Sequence, residues 1–175
     1  MFGRSAILNY LPELNKAEQV LDLGCGTGKH LLSLGRHYQD AQITGLDASD
    51  DMLNKAQSKI GPLSSVEIRK SELENFLPKP NFYDLIFCSY SLSMCGKNHL
   101  FLEDIYSSLK KNGILVVVDF DSTPFPFFER WMNFNHVQIS GKLFEKLEKE
   151  YNVKLHRTKK VYFGLWKYSL FVGSK

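Results

Sequence analysis

The sequence has few cysteines, no long apolar run and no recognisable leader. Its three cysteines, Cys25, Cys88 and Cys95, are an odd number without a CxxC pair. That pattern argues against a disulfide framework and against a zinc site. No segment reaches about 18 consecutive apolar residues, and no basic start is followed by an apolar run and a cleavage site. We therefore expect a cytoplasmic protein with no membrane-spanning helix and no bound metal.

Charge of one sign is not in large excess either, but it is unevenly distributed. The net charge is +3; residues 1–140 hold 13 Lys/Arg and 16 Asp/Glu, whereas residues 141–175 hold 9 and 3, which makes the two segments −3 and +6. A basic C-terminal segment is typical of a solvated surface or of one that faces nucleic acid or anionic headgroups. Because no RNA-binding module is recognisable and the basic excess is modest, we expect no nucleic acid partner.

The composition and the apolar pattern predict one α/β domain over residues 1–175. Hydrophobic residues make up 43% and charged residues 23%, as in average globular proteins. Short β-branched runs alternate with segments of helical period, which is the signature of a parallel sheet covered by helices. The predicted strands are Gln19–Leu23, Gln42–Asp47, Val66–Lys70, Asp84–Ser89 and Ile114–Phe120, followed by a hairpin of Val153–Lys160 and Leu165–Gly173.

Helical segments are predicted between these strands and before the hairpin. They are Lys29–His37, Ser49–Ser58, His99–Leu109 and Gly141–Glu150. Asn112–Gly113 is interpreted as the stop of the third helix, after cationic residues that favour a helix C-terminus. The whole order predicts a Rossmann-like, doubly wound sheet.

The strongest motif is Asp22-Leu23-Gly24-Cys25-Gly26-Thr27-Gly28, where a strand ends and a helix begins. Glycines there let the backbone turn sharply and approach a ligand closely. The spacing is GxGxG, and Lys29 stands where a dinucleotide GxGxxG would need its last glycine, which disfavours a nicotinamide or flavin cofactor. Asp47 ends the second strand, 19 residues after Gly28, close to the offset at which an acidic side chain binds a ribose diol.

With its preceding aspartate, VLDLGCGTGKH resembles the first motif of class I S-adenosylmethionine-dependent methyltransferases. The resemblance implies a seven-stranded sheet, mostly parallel with a C-terminal antiparallel hairpin, and S-adenosyl-L-methionine as cofactor, with S-adenosyl-L-homocysteine as product. It implies that Asp22 lies near the cofactor's amino group and that Gly24, Cys25 and Gly26 line its methionine part.

The same resemblance assigns further residues to the cofactor. Met52 corresponds to the residue that packs on the adenine, although it could equally be a core residue. Glu72 corresponds to the acidic residue that binds the adenine amino group, with Glu74 as the alternative. The remaining predicted cofactor residues are Gly28, Ala48, Leu73 and Ser89.

Methyl transfer from a sulfonium needs alignment of nucleophile, methyl and sulfur rather than covalent help from the protein. The catalytic residues therefore stay unknown at this point. Because an amine acceptor must lose a proton, Tyr90 and His136 are the candidates for orienting or deprotonating it, and either could instead be structural.

Four stretches outside the cofactor motifs resemble bacterial lipid N-methyltransferases of the diacylglycerylhomoserine or betaine-lipid type: Phe2-Gly3-Arg4, FCSYSLSM at 87–94, RWMNFNHV at 130–137 and Tyr162–Val172. Those proteins carry a further segment before Phe-Gly-Arg that helps cover the cofactor, so we expect a reduced cover here. The resemblance implies an amine acceptor on a lipid headgroup and a peripheral contact with the inner membrane surface.

Two alternatives stay open, a small-molecule or natural-product methyltransferase and a non-catalytic cofactor-binding module that regulates a partner. The absence of an Asn/Asp-Pro-Pro-aromatic tetrapeptide after the fourth strand disfavours the nucleobase and glutamine N-methyltransferases that carry one. The oligomeric state is open as well. Phe127, Trp131 and Phe134 share one face if their segment is helical. Three roles stay open for that face: packing in the core, covering the active site, or contact with a membrane.

Overall fold

The computed structural model of the chain describes residues 3–11, 17–61, 65–95, 99–139 and 141–175. Its strands are β1 Gln19–Leu23, β2 Gln42–Asp47, β3 Val66–Lys70, β4 Tyr83–Ser89, β5 Leu109–Phe120, β6 Asn152–Val161 and β7 Trp166–Ser174. They form one sheet in the order β3-β2-β1-β4-β5-β7-β6. The first five strands are parallel, and β7 is antiparallel to both β5 and β6. The predicted fold class is confirmed.

The helices within the described ranges are α1 Arg4–Ile7, α2 Lys29–His37, α3 Asp50–Ile60, α4 His99–Ser108, α5 Pro126–Phe134 and α6 Lys142–Glu150. Ser49 begins α3 as its N-cap, because its Oγ accepts a hydrogen bond from the Met52 N–H at 3.4 Å. None of the helices in the described residues has the length and apolar character needed to cross a bilayer. The short α1 has no counterpart among the predicted helices.

Helices cover both faces of the sheet, so the strand side chains alternate between two apolar cores. Val20 of β1 packs with Leu31 of α2 and Met132 of α5, in a core that also receives α1 and α3. Its neighbour Leu21 packs in the opposite core with α4 and α6. Burial on both faces explains why the central strands are nearly continuous apolar runs.

The predicted helix stop at Asn112–Gly113 is wrong. Leu109 already pairs with Tyr83 of β4, and the next register pair joins Ile114 to Leu85, so the intervening residues bulge from β5. Lys110 Nζ lies 3.0 Å from the carboxylate of Asp84, where it compensates a charge on the sheet rather than a helix C-terminus. Tertiary pairing thus ends α4 at Ser108.

The chain changes direction across the sheet between β1 and β4, since β2 and β3 lie on one side of β1, and β4 and β5 on the other. In open α/β sheets, ligands bind at the carboxyl ends of the strands at such a switch point. Trp166, the first residue of β7, lies just beyond the β5 pair Phe120–Tyr168. The tip of the β6–β7 hairpin therefore lies at the same edge of the sheet.

Candidate functional site

A cavity of about 530 Å³ opens at the carboxyl ends of β1, β2 and β4. Its lining includes eight of the eleven predicted cofactor residues, namely Gly24, Gly26, Asp47, Ala48, Met52, Glu72, Leu73 and Ser89. The catalytic candidate Tyr90 also lies on the wall. The remaining cofactor candidates, Asp22, Cys25 and Gly28, are not among the lining residues, and neither is His136. The structure thus brings most of the predicted site together.

One side of the cavity, which we call the glycine wall, consists of residues 24, 26, 27, 47–49 and 52. The turn after β1 is fixed to β2 by its backbone, because the N–H groups of Gly24 and Cys25 both donate to the carbonyl oxygen of Leu46, at 2.8 and 2.9 Å. Gly24 has φ +75°, and a Cβ there would stand 2.5 Å from the Cβ of Ser91. Only glycine fits between these two segments.

Gly26 has a different reason for lacking a side chain. Its φ is +54°, and an added Cβ would meet no described atom within 4 Å. The residue lines the cavity, so the backbone itself forms the surface there. This open approach is what a ligand that contacts a glycine-rich turn requires.

The Asp47 carboxylate is held in place by two backbone donors. Its Oδ2 accepts from the Gly26 N–H at 2.8 Å, and its Oδ1 accepts from the Ser49 N–H at 3.0 Å. One side chain at the end of β2 therefore ties the glycine turn to the start of α3. Each oxygen keeps acceptor capacity, so the carboxylate can still receive hydrogen bonds from a diol at the cavity.

Asp22 is fully buried in β1, in register between Gly45 of β2 and Phe87 of β4. Burial raises the pKa of the Cys25 thiol, and the negative charge of Asp22 raises it further. Cys25 itself is buried, and its Sγ would lie 3.0 Å from a Cβ added at Gly45. Both residues thus lie behind the glycine wall. A Cβ at Gly28 would lie 3.0 Å from that of Ala56, so this glycine serves the contact between the turn and α3.

The opposite side, which we call the turn wall, consists of residues 89–91, 94 and 95. Tyr90 adopts φ +56°, an unusual conformation for a bulky residue, while its N–H donates to the Val118 carbonyl at 2.8 Å. Its ring is buried against Phe120, with centroids 4.8 Å apart. Strained residues of this kind concentrate at binding sites.

Ser89 supplies an unsatisfied polar group to the turn wall. The residue is 4% exposed, and its Oγ has no hydrogen-bond partner within the described part of the chain. Buried hydroxyls normally have a partner, so the missing partner makes this cavity-lining residue a candidate contact for a bound molecule.

A buried carboxylate that the sequence did not single out supports the turn wall from below. Asp119 accepts hydrogen bonds from the N–H of Ser93 at 3.0 Å and from that of Phe120 at 2.7 Å. Burial raises the pKa of Asp119 to about 6, against the opposing effect of these hydrogen bonds. Ser93 is 26 residues away in sequence, so no local pattern indicates the contact.

His136 lies apart from the cavity wall. It is exposed in the turn after α5, with φ +61° and its N–H donating to the Asn133 carbonyl at 3.1 Å. On α5 itself, Phe127, Trp131 and Phe134 are 69%, 58% and 81% exposed. The predicted common face therefore points away from the core, and packing in the core, one of the roles considered for it, is wrong.

A family model described as a methyltransferase domain matches residues 14–163. Demethylmenaquinone methyltransferase of Staphylococcus epidermidis is 26% identical over 142 residues, which cover 79% of this chain and 59% of that protein. Trans-aconitate 2-methyltransferase of Escherichia fergusonii is 34% identical over 104 residues, which cover 59% of this chain and 40% of that protein. The chain thus spans 59% or less of the length of these relatives.

Among solved structures, phosphoethanolamine N-methyltransferase 2 of Haemonchus contortus in complex with S-adenosyl-L-methionine superposes with a TM-score of 0.79. The superposition covers 98% of this chain and 51% of that chain, at 15% sequence identity. This likeness concerns the fold.

Proposed function

This chain belongs to the methyltransferase domain family, and from that membership we propose that it is an S-adenosylmethionine-dependent methyltransferase. The observation that carries the proposal is the cavity at the switch point of the sheet, where Asp47 is tied to Gly26 at 2.8 Å. Two features fit a bound cofactor: the open space in front of Gly26 and the unsatisfied Oγ of Ser89. A polar ligand in the cavity would occupy the space in front of Gly26 and form a hydrogen bond with the Ser89 Oγ.

In the proposed complex, Asp47 accepts hydrogen bonds from the two ribose hydroxyls. Gly24 and Gly26 face the methionine part, while Met52, Leu73 and Glu72 surround the adenine. Asp22 and Cys25 act from behind the turn, since both are buried off the cavity wall. Asp22 then contributes negative charge near the cofactor's amino group through the intervening backbone.

S-adenosylmethionine supplies a methyl group that is already activated by the sulfonium charge. What the chain contributes is alignment of the acceptor with that methyl group and exclusion of water. Tyr90 is the residue that we propose orients the acceptor, because it lies on the turn wall in a fixed, strained conformation. His136 is exposed and does not line the cavity, so we do not assign it a role in orienting the acceptor.

The first test is cofactor affinity by calorimetry. Asp47→Ala removes charge-assisted hydrogen bonds, so affinity for S-adenosylmethionine should fall by at least about tenfold. Asp51→Ala, an exposed carboxylate on α3 outside the cavity lining, is the matched control and should bind normally. Equal affinity of the Asp47→Ala and parent proteins would refute the placement of the ribose.

For the acceptor, we propose an amine on a lipid headgroup, with the protein contacting the membrane peripherally. The resemblance of the stretches at 87–94 and 130–137 to lipid N-methyltransferases supports it, and so does the exposed aromatic face of α5. The test offers labelled S-adenosylmethionine with a lipid extract and, separately, with a soluble metabolite pool. Label in the lipid fraction supports the proposal, and label only in soluble products overturns it.

A soluble small-molecule acceptor is the second candidate. The observation that favours it is the 34% identity with a protein named for methylation of trans-aconitate. In the same experiment this candidate requires label in the metabolite pool. Binding of the cofactor without transfer to either pool would instead assign the chain a regulatory role.

A further inference from the structure

The tip of the β6–β7 hairpin displays two aromatic side chains in an unfavourable backbone conformation. Tyr162 is 64% exposed and Phe163 is fully exposed. Their φ angles are +47° and +57°, and Gly164 follows with +95°. Asparagine and glycine suit such positions, whereas aromatic residues are disfavoured there. The strained backbone thus places two aromatic side chains at the tip, and the fully exposed Phe163 points to a role outside the fold.

A second aromatic group adjoins this tip. Residues 121–123, which lead into α5, are hydrogen-bonded to residues 165–167, which follow the tip. Thr123 Oγ1 donates to the Leu165 carbonyl at 2.6 Å, and the Lys167 N–H donates to the Ser122 carbonyl at 2.7 Å. The tip and the segment that leads into α5 therefore lie close together at the cavity edge of the sheet. We call the exposed aromatic residues of the two, namely Tyr162, Phe163, Phe127, Trp131 and Phe134, the aromatic surface.

This aromatic surface is also connected to the turn wall. The segment after α5 is fixed there, since the Gln138 N–H donates to the Ser93 carbonyl at 2.8 Å. Met94 of the same turn lines the cavity and is 52% exposed. A molecule held at the aromatic surface would thus lie beside the cavity mouth.

The charge around the tip is positive and not compensated within the fold. Lys160 of β6 stands directly opposite Lys167 of β7, an arrangement that destabilises a sheet. In the part of the chain that the structure describes, neither lysine forms an ion pair. Exposed Lys159 adds a third charge, and the whole segment 141–175 carries +6. An anionic partner would relieve this repulsion.

We propose that this surface docks on a lipid bilayer that contains anionic lipids. The rings of Tyr162, Phe163 and the α5 face lie in the boundary between headgroups and acyl chains, where aromatic side chains partition well. The lysines behind the tip contact the anionic headgroups. A second copy of the chain fits poorly, because it would bring two positively charged segments together.

Docking itself does not depend on methyl transfer. Its use, which is to present a headgroup amine at the cavity mouth, rests on the proposed function. If both hold, the hairpin and α5 select the class of substrate by bringing the membrane to the active site.

The experiment is flotation of the full chain with vesicles of phosphatidylcholine alone and of equal parts phosphatidylcholine and phosphatidylglycerol. We expect binding only to the anionic vesicles, with loss of binding at high salt. The fluorescence of Trp131 should shift to shorter wavelength on binding, and Trp166, the second of the two tryptophans, is buried and should contribute little to the shift. Equal binding to both vesicles, or to neither, overturns the proposal.

One double variant tests the position of the docking surface. Tyr162→Asn combined with Phe163→Gly places favoured residues at the strained positions, so the protein should be at least as stable as the parent. The same variant should bind anionic vesicles at least tenfold more weakly. Unchanged vesicle binding would overturn the role of the tip, and loss of thermal stability would contradict the argument from strain.

The charge is tested by a matched pair of double variants. Lys160→Gln with Lys167→Gln removes the charges at the tip, and Lys149→Gln with Lys154→Gln removes equal charge near the opposite end of β6. Only the first should weaken vesicle binding, by about tenfold, since each basic residue near the surface contributes separately. Equal losses in both would show a general charge effect and overturn the assigned position.

Three further outcomes separate the two proposals. A dimer in sedimentation equilibrium that the tip variant dissociates would assign the surface to a second copy and overturn membrane docking. Vesicle binding by a protein that transfers no methyl group to lipid supports the docking, while the proposed acceptor fails. Normal cofactor affinity without vesicle binding means that the docking proposal fails, while the proposed cofactor site stands.

Discussion

The two walls of the cavity differ in whether backbone or side-chain atoms form them. The glycine wall is backbone: its shape comes from N–H groups that donate to Leu46 and Asp47. The turn wall is made of side chains, with Tyr90 held in a strained conformation and Asp119 buried beneath. A backbone surface suits a ligand that is the same in a whole family, whereas a side-chain surface can change with the acceptor. We therefore propose that the glycine wall mainly binds the cofactor and that the turn wall mainly selects the acceptor.

The largest effect should come from Gly24, where the two walls touch. In Gly24→Val the new side chain meets Ser91 at a φ of +75°. Strain costs about 1–3 kcal/mol, and overpacking about as much again, so the free energy of unfolding should fall by about 4 kcal/mol. Chemical denaturation measures this loss.

Gly61→Val is the control for Gly24→Val. Gly61 has φ +57°, and a Cβ there would meet no described atom within 4 Å. It therefore reports the cost of strain alone. If the two variants lose equal stability, the walls do not touch as the structure has them.

The next effect is the pH dependence of stability that arises from Asp119, beneath the turn wall. The pKa of Asp119 is about 6 in the folded chain, above the ordinary 3.8, because the carboxylate is buried. The stability that this group contributes is full below pH 3.8 and is lost as pH rises through about 6. The free energy of unfolding of the parent, relative to Asp119→Asn, should fall on the order of 3 kcal/mol between pH 4 and 7.

Urea titrations of both proteins across that range give this difference. Asp119→Asn also changes the hydrogen bonds to Ser93 and Phe120, so stability at a single pH is not informative. Parallel pH profiles for the two proteins would mean that the carboxylate keeps its ordinary pKa.

The two walls also differ in how far the sequence predicts them. The glycines and Asp47 follow local rules of spacing, and the structure brings them to one cavity. The contact of Asp119 with Ser93 spans 26 residues, and the positive φ of Tyr90 has no pattern in sequence. Periodicity placed the α5 aromatics on one face, but only the packing of Met132 decides that the other face is the buried one.

Gly26→Val tests the glycine wall alone. The new side chain would occupy the space where we place the cofactor, so affinity for S-adenosylmethionine should fall at least about a hundredfold. Gly61→Val again serves as control, because it also adds a side chain at a positive φ, but away from the cavity. Only Gly26→Val should lose binding. Normal binding by Gly26→Val would mean that the cofactor does not face this turn.

The smallest expected effect is that of Ser89→Ala on the turn wall. The test is the direction in which stability and ligand affinity change. Ser89→Ala removes a buried hydroxyl without a described partner, so the unliganded protein should be as stable as the parent or up to about 1 kcal/mol more stable. Affinity for the cofactor or for the acceptor should fall about threefold to tenfold, because a hydrogen bond to the ligand is lost.

Ser108 offers the matched change away from the cavity. Its Oγ is likewise buried without a described partner, at the end of α4 and outside the cavity lining. Ser108→Ala should alter stability in the same direction and leave both affinities unchanged. The decisive comparison is calorimetry of the two alanine variants with S-adenosylmethionine, followed by the Michaelis constant for the acceptor. Loss of cofactor affinity in Ser89→Ala would extend the cofactor site to the turn wall, whereas a loss confined to the acceptor would keep the two walls separate in function. If neither quantity changes, the Ser89 hydroxyl does not bind a ligand.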